Sequence, residues 1–187
     1  MGDSRLKRWL GGLAVAAVIA AGAKMGESAR YYAAPEFPSQ NQKDWIGTPQ
    51  SLKALSGKVV LIDVWTFLCI NCQRTIPWIQ EMDKRFAARG LVTVGVHTPE
   101  FEKERSRGNV ETAVKELGLS NYSHFLDNHM SYWRALRNEY WPAVYIVDKH
   151  GQIRTGMFGE IHIGTGRDKE TVQLVEKLLG EETAPSH

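Results

Sequence analysis

Hydrophobic residues in this chain fall into short continuous runs separated by segments of mixed polarity. Three runs are rich in β-branched residues and too continuous for strands with one face in water: KVVLIDVW (58–65), LVTVGVH (91–97) and AVYIVD (143–148). They predict central strands of a sheet that is covered on both faces. A fourth run, QIRTGMF (152–158), follows the tight turn KHG and predicts an antiparallel strand.

Helical segments separate these strands along the chain. The first extends from about Cys69 to Ala88, and NVETAVKELG (109–118) and MSYWRALRNEY (130–140) lie between the second and third strands. The last, DKETVQLVEKLLG (168–180), carries one apolar stripe at helical spacing. This alternation of strand and helix predicts a single α/β domain, which fits a chain of 187 residues with 43% hydrophobic and 24% charged residues.

The first 23 residues, MGDSRLKRWLGGLAVAAVIAAGA, have a different pattern. Three basic residues precede an uncharged run from Trp9 to Ala23, which is the arrangement of an export signal. As a helix the run is roughly 22 Å long, shorter than a hydrocarbon core of ~30 Å, and it ends in the small-residue pattern of a cleavage site. Residues 1–23 therefore predict either a cleaved signal peptide or a weak N-terminal membrane anchor. Both place the domain in the bacterial periplasm or on the extracytoplasmic face of the inner membrane.

The export segment also accounts for the net charge of +2, because three basic residues and Asp3 within it leave the remaining chain neutral. A neutral domain offers no basic surface to nucleic acid, so we expect no nucleic-acid partner. Residues 24–43 contain two prolines and no sustained period and predict a linker, and residues 44–182 are assigned to the domain.

The only two cysteines, Cys69 and Cys72, lie two residues apart in LIDVWTFLCINCQRTIPW (61–78). A zinc site needs about four ligands, and the six histidines of the chain lack paired spacing, so we expect no zinc site. A structural disulfide closing so small a loop would stabilise the fold by only about 2 kcal/mol. Two thiols with a remote histidine could still hold a soft ion such as copper.

A redox pair requires a thiolate, which the unpaired N–H groups and the dipole of a helix N-terminus favour. Cys69 follows a predicted strand and opens a predicted helix, and Cys72 lies one turn deeper on the same face. This placement predicts that Cys69 is the exposed attacking thiol and that Cys72 resolves the mixed disulfide.

The chain resembles the thioredoxin superfamily, in particular its extracytoplasmic TlpA-like branch, and WTFLCINC is most similar to the thioredoxin-like domain of DipZ-type proteins. Besides the CxxC motif, the positions of Asp63, Pro77 and Pro142 match the family pattern. The resemblance implies a thioredoxin-like fold, with a central mixed sheet and helices on both faces. It also implies that Asp63 is a buried acid–base group for Cys72, and that Pro142 is a cis-proline that binds substrate together with Trp141.

The function implied is thiol–disulfide exchange with exported proteins, without a bound cofactor. Electrons would pass to or from another dithiol protein, such as a membrane electron carrier of the DsbD or CcdA type. Leu68 and the pair Ile70-Asn71 depart from the usual residues around the motif. Because neither residue of the pair is a cation, we expect a reductant rather than an extreme oxidant.

Two alternatives remain, a copper metallochaperone that uses the same thiols and a peroxidase that would need a peroxidatic thiol in another motif. The polar residues near the motif are typical of solvated surface, and this prediction covers Gln73, Arg74 and the charged segment FEKERSR (101–107).

Overall fold

The computed structural model describes residues 32–182, which form a seven-stranded sheet with helices on both faces. The predicted export segment, residues 1–23, lies outside the described residues. The strands are β1 (Tyr32–Ala33), β2 (Trp45–Ile46), β3 (Val59–Trp65), β4 (Leu91–His97), β5 (Ser123–Leu126), β6 (Ala143–Val147) and β7 (Gln152–Phe158). The α-helices are α1 (Ile70–Phe86), α2 (Arg107–Glu116), α3 (Ser131–Ala135) and α4 (Gly166–Gly180).

The sheet is mixed, with the strand order β1-β7-β6-β3-β4-β5-β2. Strands β3, β4 and β5 are parallel, whereas β6 runs antiparallel to β3 and β7 runs antiparallel to β6. The two-residue strands β1 and β2 pair antiparallel at the edges. The predicted α/β architecture is confirmed, and the apolar runs that predicted central strands are β3, β4 and β6.

Alternate residues of β3 face two different cores, because successive side chains of a strand point to opposite faces. Val59 and Leu61 pack in one core with Trp78 and Phe86 of α1 and with residues of α4. Val60 and Ile62 pack in the other core with residues of α3. Strand β3 is therefore buried on both faces along its length, from Val59 to Trp65. The loop that leads to α1 begins directly after this buried strand.

The first described segment packs onto the domain. Strand β1 pairs with β7, and the ring of Phe37 is 4% exposed and stacks on Tyr132 with ring centroids 4.7 Å apart. The predicted linker covered residues 24–43, of which residues 24–31 lie outside the described residues. From Tyr32 onward the structure differs from that prediction, because β1 pairs with the sheet and the ring of Phe37 is buried in the core.

Helix α3 is shorter than the helix predicted for residues 130–140. The carboxylate of Asp127 accepts hydrogen bonds from the N–H groups of Ser131 and Trp133, at 2.7 and 2.8 Å, and so caps its first turn. Arg137 has a φ of 54°, in the left-handed region, which is incompatible with a continuing right-handed helix. Among residues 32–182, no helix has the length and apolar character needed to cross a membrane.

We predict that Gly95→Ala strongly destabilises the fold. A Cβ at Gly95 in β4 would lie 2.1 Å from Nδ1 of His124, and this buried ring is hydrogen-bonded through Nε2 to the carbonyl of Leu119 at 2.9 Å. The backbone and His124 would have to shift to make room for the methyl group, and this should lower the free energy of unfolding by about 3 kcal/mol, measured by urea denaturation. Gly108→Ala in α2 is the control, because its Cβ would meet nothing within 4 Å and should leave stability unchanged or higher. Equal losses in the two variants would contradict this packing.

Candidate active site

Cys69 occupies the N-cap of α1, directly after the loop that follows β3. Its Sγ accepts a hydrogen bond from the N–H of Cys72 at 3.2 Å. The pKa of Cys69 is lowered to about 7, because its sulfur accepts hydrogen bonds from the thiol of Cys72 and from the N–H groups of Cys72 and Asn71. Partial burial and the nearby charge of Glu100 act in the opposite direction but are outweighed. A substantial fraction of Cys69 is therefore thiolate near neutral pH.

Cys72 lies in the first turn of α1 and is 2% exposed, whereas Cys69 is only half-buried. Burial raises the pKa of Cys72 well above its ordinary value, and the hydrogen bond to Cys69 and the charges of Cys69 and Asp63 act in the same direction. Both cysteines are free thiols in this structure. The site thus contains one accessible thiol that ionises and one buried thiol that does not.

Asp63 lies in β3 and is 3% exposed. Burial raises its pKa to about 7, and the negative charge of Cys69 contributes in the same direction. Its charge in turn raises the pKa of Cys72, so the carboxyl lies close to both thiols. Asp63 can therefore hold a proton in the same pH range in which Cys69 loses one.

Trp141 and Pro142 lie beside the end of β3 that leads to Cys69, because Ala143 of β6 pairs with Val64. The peptide bond between Trp141 and Pro142 is cis, as the resemblance implies. The indole of Trp141 donates a hydrogen bond to the carbonyl of Thr98 at 3.1 Å and packs against the apolar cluster that contains Cys72. The fold therefore brings all five predicted site residues to one end of the sheet.

The charged segment 101–107 was predicted to be a solvated surface, and for Glu104 this is wrong. Glu104 is fully buried, and its carboxylate accepts hydrogen bonds from the N–H groups of Leu68, Glu100 and Phe101 at 2.9, 2.8 and 2.8 Å. These donors replace the water that a carboxylate would otherwise require. The local sequence FEKERSR gave no signal of this burial, since the donors belong to two separate loops.

The two polar residues after Cys72 have different environments. Gln73 lies in α1 as predicted and is partly exposed, but its side-chain amide also donates a hydrogen bond to the carbonyl of Phe67 at 2.7 Å, in the loop before Cys69. Arg74 is exposed, as predicted, and forms an ion pair with Glu160 at 3.2 Å. Within residues 32–182, no group of three or more His, Cys, Asp or Glu side chains is arranged to hold a metal ion.

A family model described as the AhpC/TSA family matches residues 32–155. The chain belongs to this family. Among its relatives, Protein DipZ of Mycobacterium tuberculosis (strain CDC 1551 / Oshkosh) is 43% identical over 141 residues, which cover 73% of this chain. The match covers 19% of DipZ, so the chain spans about a fifth of that protein's length. Thiol-disulfide oxidoreductase YkuV of Bacillus subtilis (strain 168) is 30% identical over 141 residues, covering 75% of this chain and 90% of YkuV.

A solved structure agrees with the predicted fold. The thioredoxin-like superfamily protein SPOA0173 superposes on this AhpC/TSA-family chain with a TM-score of 0.70 at 23% identity, covering 81% of this chain and 98% of that protein. The predicted thioredoxin-like fold and the resemblance to TlpA-like and DipZ-type proteins are therefore confirmed. YkuV, whose name is that of a thiol-disulfide oxidoreductase, is a relative of the class that the sequence predicts for this chain.

We predict that Asp63→Asn makes the reduced protein more stable, by an amount that grows with pH. A carboxyl with a raised pKa contributes stability in full below its unfolded pKa and loses it as pH rises through about 7. The wild type should thus lose roughly 2 kcal/mol relative to Asp63→Asn between pH 5 and pH 8, measured by urea denaturation of both proteins. A constant difference across this range would mean that Asp63 does not titrate there.

Proposed function

We propose that this domain is an extracytoplasmic reductant of disulfides in exported proteins, acting through Cys69 and Cys72. The observation that carries the proposal is the difference between the two thiols. Cys69 is accessible, caps α1 and has a pKa lowered to about 7, whereas Cys72 is buried with a raised pKa. An attacking thiol must be ionised and exposed, and a resolving thiol must be protected until the mixed disulfide forms.

In the first step, the thiolate of Cys69 attacks one sulfur of a substrate disulfide. The substrate S–S bond breaks, a mixed disulfide forms, and the second substrate sulfur leaves as a thiolate that takes up a proton. Cys72 then gives its proton to Asp63 and attacks Sγ of Cys69. The mixed disulfide breaks, the first substrate sulfur leaves as a thiolate that takes up the proton from Asp63, and Cys69 and Cys72 form a disulfide. Two electrons have passed from the enzyme to its substrate.

The environment of Asp63 supports the role of proton acceptor. A general base works best when its pKa is close to the operating pH, and burial raises that of Asp63 to about 7. We assign Trp141 and Pro142 to substrate binding, because they lie beside the loop that leads to Cys69. An extended substrate segment would lie along the backbone there while its sulfur meets Cys69.

The reducing direction is supported by the moderate pKa of Cys69. Thioredoxin, a reductant, has an attacking thiol with a pKa of about 7, whereas the strong oxidant DsbA has a value of about 3.5. The nearby cation on α1, Arg74, is paired with Glu160 and so contributes little to stabilising the thiolate. Regeneration of the dithiol requires another dithiol protein, for which we propose a membrane electron carrier of the DsbD or CcdA type.

We predict that Cys72→Ser traps partner proteins and that Cys69→Ser does not. Without Cys72 the mixed disulfide on Cys69 cannot be resolved, and without Cys69 the remaining thiol is too buried to attack. Non-reducing electrophoresis of protein recovered from cells should resolve mixed disulfides only for Cys72→Ser, and a reductant should release them. Equal trapping by both variants would contradict the assigned roles. Tight copper retention without any disulfide exchange by the wild type would instead favour the metallochaperone.

We predict that residues 1–23 direct export. The motivation is the basic start followed by the uncharged run from Trp9 to Ala23. After expression of the full chain in a bacterium, the protein should be found in the periplasmic or the membrane fraction. Terminal sequencing that begins at Lys24 would identify a cleaved signal peptide, and a start near Met1 in the membrane would identify an anchor. Recovery from the cytosol would contradict both.

A further inference from the structure

Glu104 is a buried carboxylate that neutral groups surround. It is 0% exposed, and Oε1 accepts the N–H of Leu68 while Oε2 accepts the N–H groups of Glu100 and Phe101. The hydroxyl of Thr66 is a further donor. Burial alone would raise the pKa of Glu104, but these four hydrogen bonds outweigh it and lower the pKa below its ordinary value. Glu104 is therefore ionised at neutral pH. If one of its donors moved away, a buried negative charge would lose a hydrogen-bond partner, which is energetically costly.

The donors to Glu104 belong to two loops that meet at the active-site end of the sheet. Thr66 and Leu68 lie between β3 and α1, directly before Cys69, whereas Glu100 and Phe101 follow β4. Because β3 and β4 are parallel neighbours, the loops that follow them leave the same edge. One carboxylate therefore joins the loop that leads to Cys69 to the adjacent loop.

The loop before Cys69 has few other polar restraints among the described hydrogen bonds. The N–H of Cys69 donates to the carbonyl of Thr66 at 3.3 Å, and the carbonyl of Phe67 accepts from Gln73 at 2.7 Å. The hydroxyl of Thr66 also lies 3.3 Å from Nε2 of His97. Glu104 supplies the partner for the N–H of Leu68, the residue immediately before Cys69.

The angle at which the chain enters α1 decides whether Sγ of Cys69 meets the N–H of Cys72. We propose that Glu104 is a positioning residue that holds the loop before the attacking cysteine, so that Cys69 stays at the N-cap of α1. This inference rests on the proposed function, in which Cys69 is the attacking thiol. Glu104 does not itself react with substrate in this scheme.

Removal of the Glu100 charge should change the pKa of Cys69 in the direction opposite to that expected for Glu104. The charge of Glu100 raises the pKa of Cys69 through space, so removal of that charge should lower the pKa. If Glu104 acted only as another negative charge, its removal would have the same effect. A positioning role predicts the reverse, because in Glu104→Gln an amide NH₂ would face backbone N–H donors and release one of the loops.

The test measures the pH dependence of Cys69 alkylation by iodoacetamide in the reduced full chain, with the modified peptide identified by mass spectrometry. Glu104→Gln should raise the pKa of Cys69 by about one pH unit, since the N-cap hydrogen bonds weaken. Glu100→Gln should lower it. Glu102→Gln is the matched control in the same segment, with a side chain that is 91% exposed, and should leave the titration unchanged.

A fall or no change in the pKa of Cys69 in Glu104→Gln would overturn the proposal, even if the variant is less stable. Should that variant fail to fold, Thr66→Val removes one donor to the same carboxylate and should raise the pKa of Cys69 by a smaller amount. An unchanged titration in Thr66→Val would then overturn the proposal. Failure of the proposed function is separate, because trapping by Cys72→Ser tests the role of Cys69 without any change at Glu104.

Discussion

The structure of this site depends on the hydrogen bond that the first turn of α1 gives to Sγ of Cys69. The N–H of Cys72 would otherwise lack a partner at the start of the helix, and a thiolate satisfies it better than a thiol. The bond exists only if α1 begins at residue 70 and stays in place. Trp78 and Phe86 secure the helix by burial against the sheet.

The two buried carboxylates near this bond illustrate how local donors decide the state of a charge. Burial raises the pKa of Asp63 to about 7, so its carboxyl can exchange a proton near neutral pH. Glu104 is also buried, but four donated hydrogen bonds hold its pKa below the ordinary value. The first carboxyl is suited to moving a proton, and the second is suited to holding two loops together.

The sequence was sufficient for the features that depend on local pattern. Continuous apolar runs located β3, β4 and β6, and the position of Cys69 after a strand located the start of α1. It was insufficient where a residue's state depends on distant partners. Glu104 sits in a charge run that is typical of surface, and its burial includes a hydrogen bond from the distant loop before Cys69, which the local sequence does not indicate. Phe37 likewise lies among prolines and polar residues, and its burial depends on a stack with Tyr132 far along the chain.

The central claim is that the fold makes the two cysteines chemically unequal, and the reactivity of each in the reduced wild-type protein tests it most directly. A limited alkylation series across pH, with peptide mass spectrometry to assign each adduct, gives the rate at each sulfur separately. The structure predicts that Cys69 alone is modified in the folded protein, with a midpoint near its pKa of about 7. Comparable modification of Cys72 below pH 8, or a midpoint for Cys69 at the ordinary thiol value of about 8.5, would contradict the claim.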